Sequence, residues 1–340
     1  MIKELQTNLI SYYDEFGRNL PWRLNKDPYR IWVSEIMLQQ TQVKTVIPYY
    51  EGFLKRLPTV SDLASIEESE LMKLWEGLGY YSRVKNMQKA AKIICNTDNH
   101  ELPKTFEGLL SLPGIGVYTA GAIASMAYEL KVPAIDGNVI RVISRYFGKP
   151  YSLQEIQQLM PTLLPNQRIG DFNQALMDVG AGICLPIAKP LCLQCPLQSH
   201  CIANLLKLTD IIPEKIKKPK RSIEEKTLIV LSSKNRYAIT KRPEKGLLSG
   251  LWEFPMFEGN LNQIELRNKL EEMGIFVHDI RFLLKFKHGF THKEWVIYGY
   301  EAELLGDIQT LPMWTFATKA ELEQTYSLSS LYKKLLEGLL

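Results

Sequence analysis

Apolar residues recur at spacings of three and four from residue 1 to about 205, the period of helices that each bury one face. Gly and Pro punctuate this pattern, and no strand-length run interrupts it. Asp27 followed by Pro28 predicts a capped start to a helix through Ile31, Trp32, Ile36 and Leu38. Ser61 and Ser82 are expected as further caps, and Gly148 as a stop. Around residues 206–224 the character changes to two prolines and a basic run, which predicts an interdomain linker. Beyond it, Thr227 to Leu231, Arg236 to Thr240 and Glu294 to Tyr300 carry β-branched and aromatic residues in strand-length runs. Gln263 to Met273 has helical spacing and ends at Gly274. The expected architecture is multidomain: an all-α domain over 1–205, a linker over 206–224 and an α+β domain over 225–340.

Composition narrows the class without naming it. With 340 residues, 46% hydrophobic and 23% charged, the chain has the make-up of a globular protein of about two domains. Its longest apolar-leaning stretches, such as Thr119 to Tyr128, fall short of the roughly 20 residues of a membrane span. Met1-Ile2-Lys3-Glu4-Leu5 lacks the apolar core of a secretory signal, so a cytoplasmic location is expected. The net charge of +4, from 41 basic and 37 acidic residues, is too small to identify a polyanion partner.

Four of the five cysteines, Cys184, Cys192, Cys195 and Cys201, fall within eighteen residues. In a reducing compartment that clustering points to metal ligation rather than disulfides. Zinc and an iron–sulfur cluster both accept such ligands, and the uneven spacing leans toward a cubane. Cys95, alone in an apolar run, reads as a core residue. Leu112-Pro113-Gly114-Ile115-Gly116-Val117-Tyr118 sits between two helical stretches. It reads either as a plain turn or as a helix-hairpin-helix whose Gly114 and Gly116 let backbone N–H groups approach an anion.

Two carboxyl groups stand out. Glu35 is the only charged residue between Arg30 and Lys44, amid Trp32, Val33, Ile36, Met37 and Leu38. A buried carboxyl there would favour its protonated form and serve as a general acid, while the bland alternative is a glutamate on a helix surface. Asp136 precedes a helix running to about Phe147, where an N-cap is the ordinary reading. Two carboxyls in different environments are also what acid-assisted cleavage of a glycosidic bond requires.

Together these features resemble the adenine DNA glycosylase family, within the endonuclease III-like helix-hairpin-helix superfamily. The most specific matches are Trp32 to Val43, Gly77 to Arg83, the hairpin from Leu112 to Ala120, Ile135-Asp136-Gly137-Asn138-Val139 and the cysteine loop. The resemblance implies a [4Fe–4S] cluster on the four clustered cysteines, and a duplex substrate bearing adenine opposite 8-oxoguanine or guanine. It makes Glu35 the acid that protonates adenine, Asp136 the carboxylate that stabilises the sugar cation, and Tyr118 and Asn138 the groups orienting them. It assigns Arg18, Trp22, Arg23, Leu38 and Val43 to the adenine pocket. Around the opposing guanine it assigns Gln40, Thr41, Leu78 and Tyr80, with Phe290, Thr291 and His292 from the C-terminal domain. It also implies a monomer at the bacterial nucleoid and no membrane contact. The segment Glu214 to Lys226, with six basic and three acidic residues, is a candidate docking strip for repair or replication proteins.

The chain departs from its relatives at several points. The C-terminal domain resembles the Nudix fold, but Asn268 replaces the first glutamate of the metal-holding run, so a lesion-recognition module is expected rather than a hydrolase. Tyr118 stands where the superfamily's lyases carry lysine, so strand incision is expected to be weak or absent, and Ile140 stands where many relatives carry one, so trapping of the product sugar by an amine is expected to be weak. Thr291 stands where the family commonly has Ser, and the first cysteine gap is seven residues rather than six. The alternative reading is a non-catalytic iron–sulfur protein that senses lesions in DNA.

Overall fold

The helical periodicity is realised in the computed structural model, which describes residues 1–97, 99–186, 189–214, 221–308, 311–329, 331–332 and 335. Helices run over α1 (Ile2–Phe16), α2 (Pro28–Leu38), α3 (Val43–Arg56), α4 (Val60–Ser65), α5 (Glu68–Leu74) and α6 (Ser82–Cys95). They continue through α7 (Phe106–Leu110), α8 (Val117–Tyr128), α9 (Gly137–Tyr146), α10 (Leu153–Leu163), α11 (Ile169–Gly182) and α12 (Ile202–Leu205). The C-terminal part contains β1 (Ser222–Ser233), β2 (Arg236–Lys241), β3 (Trp252–Glu253), β4 (Met256–Glu258), α13 (Gln263–Glu272), β5 (Arg281–Gly289), β6 (Lys293–Glu303), β7 (Thr315–Ala317) and α14 (Lys319–Gln324).

Local chemistry sets the boundaries. The Asp27 carboxylate accepts from the backbone N–H groups of Tyr29 and Arg30, and Pro28 occupies the first helical position of α2. Gly148 takes φ 64° two residues past α9, a left-handed conformation that ends the helix. The cap of α4 is Thr59, which forms a reciprocal box with Asp62, and not the expected Ser61. Ser82 is the first residue of α6.

The chain divides into two compact units, one of Met1–Ile66 with Arg83–Ile216 and the other of Glu67–Ser82 with Lys217–Leu340. In the first, α11 packs against α1, α8 and α9, and α2 lies along α8. Leu9, Val142, Phe172, Leu176 and Val179 are among the buried residues of its core. Small residues let α8 lie close to the strand-like segment ahead of α9: a Cβ on Gly121 would stand 2.2 Å from the Pro133 carbonyl oxygen. These units part from the expected boundaries of 205 and 225. Residues 206–214 belong to the helical unit, because the buried Arg145 guanidinium donates to the carbonyls of Thr209 and Ile212, each at 2.7 Å. The basic run expected as tether lies largely in residues 215–220, outside the described residues.

In the second unit the sheet order is β3-β2-β1-β6-β5, with β4 on β1 and β7 on β2. β1 and β6 run parallel from Ser222 opposite Lys293 to Ser232 opposite Glu303. Alternation along β1 feeds two cores: Leu228 and Val230 enter one, Ile229 and Leu231 the other. Covered on both faces, this strand reads as a continuous apolar run. Among the described residues, no helix is long and apolar enough to cross a membrane.

Candidate active site

The site begins on α2, where Tyr29 and every residue from Ile31 to Met37 are buried. Glu35 lies in the middle of that run with 4% of its surface exposed. Burial pushes its carboxyl up to about 7; the charge of Asp136 adds to the rise, while the Tyr118 hydroxyl and the Arg23 charge oppose it. The Tyr118 hydroxyl, at the start of α8, donates to Glu35 Oε2 at 2.6 Å. Burial and the neighbouring Glu35 push the phenol of Tyr118 well above its usual range, so it remains a proton-bearing donor.

Both carboxylate oxygens of Asp136 are engaged, one of them in the cap that its sequence context predicts. Its Oδ1 accepts from the Val139 N–H at 2.8 Å and caps α9, while its Oδ2 accepts from Asn138 Nδ2 at 2.7 Å. Asn138 is fixed in turn, since its Oδ1 accepts from Arg141 Nη2 at 2.8 Å. The same guanidinium donates to the carbonyls of Gly180 at 2.7 Å and Cys184 at 2.6 Å. Only glycine fits at 180, because a Cβ there would stand 2.5 Å from Asn138 Cβ.

Glu35, Tyr118, Asp136 and Asn138 line one cavity of about 450 Å³ in the helical unit. Its apolar wall includes Trp22, Leu38 and Val43, and its cationic wall Arg18 and Arg23. Thr41, expected with Gln40 at the opposing guanine, lines this cavity, whereas Gln40 does not. Gln40 sits exposed just past α2 at φ 58°. Arg83 supports that turn: its Nη1 donates to the carbonyls of Ile36 at 2.7 Å, Met37 at 3.1 Å and Gln39 at 2.6 Å. The site has three members that pattern reading missed. Gln174 on α11 lines the cavity with a side chain half-buried. Asp178, one turn further on, receives both arginines of the cationic wall. Arg141 holds Asn138. The sign of all three was a polar residue at a position that the helical period assigns to the interior.

Gly114 takes φ 80°, and a Cβ there would approach Asn86 Cβ to 2.7 Å. Gly116 is the N-cap residue of α8 and, having no side chain, leaves the first N–H groups of that helix without a side-chain cap. In the other unit, Leu78 is buried, and Tyr80 is 47% exposed with its hydroxyl 2.9 Å from Thr291 Oγ1. Phe290 stacks edge-on against His288 and Trp295, at 4.7 and 4.8 Å between ring centres, in the turn joining β5 to β6. Thr291 and His292 are exposed beside it. On the Nudix-like helix α13, Glu265 is engaged in a capping box with Asn262, and Arg267 donates to the carbonyls of Val277 and His278.

Cys184, Cys192, Cys195 and Cys201 line one small cavity together with Arg145. Arg145 Nη1 lies 3.2 Å from Cys184 Sγ, and Cys201 Sγ donates to the Arg145 carbonyl at 3.4 Å. Among the described residues, no three His, Cys, Asp or Glu side chains are gathered as a set that could hold a metal ion. Ile187 and Ala188 of the loop lie outside the described residues. Cys95, expected in the core, is half-buried with Ser61 Oγ 3.7 Å away.

Two family models match the chain: the HhH-GPD superfamily base excision DNA repair proteins over residues 33–164, and the NUDIX domain over residues 226–338. An adenine DNA glycosylase of Buchnera aphidicola subsp. Baizongia pistaciae is 39% identical over 293 residues, which cover 84% of this chain and 82% of that protein. The Homo sapiens adenine DNA glycosylase is 35% identical over 374 residues, covering 90% of this chain and 68% of its own. Among solved structures, a thermostable thymine-DNA glycosylase superposes with a TM-score of 0.56 at 30% identity, over 60% of this chain and 97% of that one. A trapped endonuclease III–DNA covalent intermediate superposes at 0.53 and 20% identity, over 61% and 99%, which is a likeness of fold.

Proposed function

The chain belongs to the adenine DNA glycosylase family, and from that premise we propose how its cavity releases adenine from duplex DNA in base excision repair. A single observation carries the chemistry: Glu35, buried and hydrogen-bonded to Tyr118, shares one cavity with Asp136. A carboxyl raised to about 7 keeps a proton near neutral pH. With the nucleotide extruded into the cavity, Glu35 donates that proton to the imidazole part of adenine, and the bond from C1′ to the base breaks with its electron pair leaving on the neutralised purine. Positive charge develops on the sugar, where the Asp136 carboxylate, held by Asn138 and by the cap of α9, stabilises it until water adds at C1′ and gives up its proton to the now ionised Glu35. Gln174 supports recognition, because a carboxamide can accept from N6 and donate to N1 on the Watson–Crick edge of adenine, which leaves N7 to Glu35. Trp22, Leu38 and Val43 supply the apolar wall that repays part of the unstacking.

We assign the partner across the duplex to 8-oxoguanine or guanine, read by Gln40, Tyr80 and the Phe290-Thr291-His292 turn. Support comes from the exposed Tyr80 ring and its hydroxyl contact with Thr291. The hairpin at Gly114 and Gly116 offers uncapped N–H groups to a phosphate. Strand incision by Schiff base is not expected, since the phenol Tyr118 stands at the hairpin position in question and is engaged with Glu35.

The four-cysteine loop suits a [4Fe–4S] cluster. Four thiols line one small cavity, and cysteine thiolates are the ligands that such a cluster takes. The Arg145 guanidinium beside Cys184 Sγ would offset the negative charge of such a centre. When bound, the cluster would tie the loop together structurally. Nothing in the adenine chemistry is assigned to it.

The test is single-turnover release of adenine from a duplex carrying adenine opposite 8-oxoguanine. Glu35→Gln is expected to slow release at least about a hundredfold while duplex binding persists. Equal rates for the two proteins would remove Glu35 from the mechanism. A pure lesion sensor gains nothing from burying a carboxyl at this cost, so the same assay separates that reading.

A further inference from the structure

Arg18 and Arg23 form the cationic wall of the cavity, Arg18 about a third exposed and Arg23 largely buried, and each is held by a partner rather than free in the pocket. Both converge on Asp178, a residue of α11 whose side chain is 1% exposed. Arg18 Nε donates to Asp178 Oδ1 at 2.6 Å and the Arg18 backbone N–H to Oδ2 at 3.2 Å. Arg23 grips the same carboxylate in a fork, with Nη1 to Oδ2 at 2.7 Å and Nη2 to Oδ1 at 2.9 Å. The arrangement is saturated, since two oxygens receive four N–H groups from two residues. Arg23 also donates to the Arg18 carbonyl at 3.3 Å and lies over the Tyr13 ring at 5.6 Å.

We propose that Asp178 is a positioning residue for adenine release, fixing the orientation of both wall arginines and balancing the charge of Arg23, the one that faces the buried acid. This inference rests on Glu35 acting as the proton donor and goes a step further. Asp178 touches no substrate, because it does not line the cavity; it acts through Arg18 and Arg23. Arg18 and Arg23 bring two positive charges into this wall, and Arg23 beside a neutral Glu35 carboxyl pulls it toward its ionised form; a general acid that ionises early is lost. One buried carboxylate cancels one of those charges. It also removes the freedom of two long side chains before a base arrives, which lowers the ordering cost of binding.

The groups around both carboxyls are few. Glu35 faces Tyr118 from α8, Asp136 from the start of α9 and Arg23 from the 3-10 turn at Pro21–Arg23. Asp178 faces Arg18 and Arg23, with Tyr12 and Tyr13 of α1 close enough to sense its charge. Burial raises the Asp178 carboxyl, but the hydrogen bonds and charges of the two arginines outweigh it and hold the group below the ordinary carboxylate range. It is therefore an anion throughout the working pH range.

Single-turnover adenine release measured against pH tests the idea. Activity of the wild type is expected to fall as pH rises through the ionisation of Glu35. Asp178→Asn leaves one more net positive charge beside Glu35, so the midpoint of that fall should move to lower pH by about half to one unit. Asp178→Asn with Arg23→Gln restores the charge balance, and its midpoint should return toward the wild-type value although its maximal rate stays low. A merely structural Asp178 would lower the melting temperature and leave the midpoint in place, which would overturn the proposal. Should Asp178→Asn not fold, Asp178→Glu keeps the charge and displaces the fork: a higher KM with an unmoved midpoint is expected, and wild-type KM and rate would overturn the proposal. Loss of adenine release in the wild type itself would instead refute the reading of Glu35, so the two failures are distinguishable.

Discussion

At the scale of single residues, the cavity is dominated by the cost of one buried carboxyl. The isolation of Glu35 among apolar neighbours was visible in the sequence, and so was its consequence, a carboxyl pushed toward protonation. What the pattern could not supply was the Tyr118 hydroxyl at 2.6 Å, since that contact joins residues 83 positions apart. The linkage to stability has a definite sign. A carboxyl near 7 in the folded chain and at its ordinary value of about 4.5 when unfolded binds more protons folded, so stability declines as pH rises from about 4.5 through 7. The full penalty, roughly 3 kcal/mol, is present above that window. Glu35→Gln, neutral at every pH and still able to accept from Tyr118, is therefore expected to be the more stable protein at pH 8. Its advantage should vanish near pH 4. Thermal melts of both proteins across this range check it, and a constant or inverted difference would contradict the burial cost assigned to Glu35.

At the scale of elements, legibility followed how local the cause was. The start of α2 was readable because Asp27 and Pro28 are adjacent to the groups they organise. The start of α4 differs by two residues from the expected one because Thr59 and Ser61 are equivalent in kind, and only the reciprocal box with Asp62 separates them. The sequence context of Asp136 allows a cap or a catalytic carboxylate; the structure shows the cap, with one oxygen accepting from Val139 and the other from Asn138. Arg141 and Asp178 escaped notice because charged residues inside α9 and α11 are explained only by partners on other elements. The hairpin between α7 and α8 offers a test at this scale. Gly114 combines φ 80° with a Cβ position 2.7 Å from Asn86 Cβ, so Gly114→Ala strains the turn and pushes the side chain of a neighbouring helix. A loss of about 1–2 kcal/mol in stability is expected. Duplex affinity should weaken alike for lesion and undamaged DNA, because a phosphate contact carries no sequence information. Titration of both duplexes checks this, and selective loss on the lesion duplex would argue that the hairpin reads a base.

At the scale of the whole chain, the two halves were legible as helical and mixed, but the boundary between them was not. A run of prolines and lysines reads as a tether from composition alone, whereas residues 206–214 are part of the helical unit through Arg145. The strands on long runs, β1, β2 and β6, were readable from their β-branched and aromatic content. The two-residue and three-residue strands β3, β4 and β7 were not, because such short pairings depend on partners already in place. Arg145 joins three features that are separate in sequence: the interior of α9, the first cysteine of the loop, and the segment leaving the helical unit. If the loop carries a cluster, losing it should be felt along that path. Cys184→Ala is expected to lower iron content and to speed amide exchange across 206–214, since the guanidinium loses the sulfur that helps to fix it. Strands β1 and β6 pair with each other over eleven residue pairs and draw nothing from this network, so their protection should be unchanged. Hydrogen exchange read by mass spectrometry resolves these segments. Unaltered exchange at 206–214 in a protein stripped of iron would mean that the exit segment is held by backbone packing alone and that Arg145 does not transmit the state of the cysteine loop.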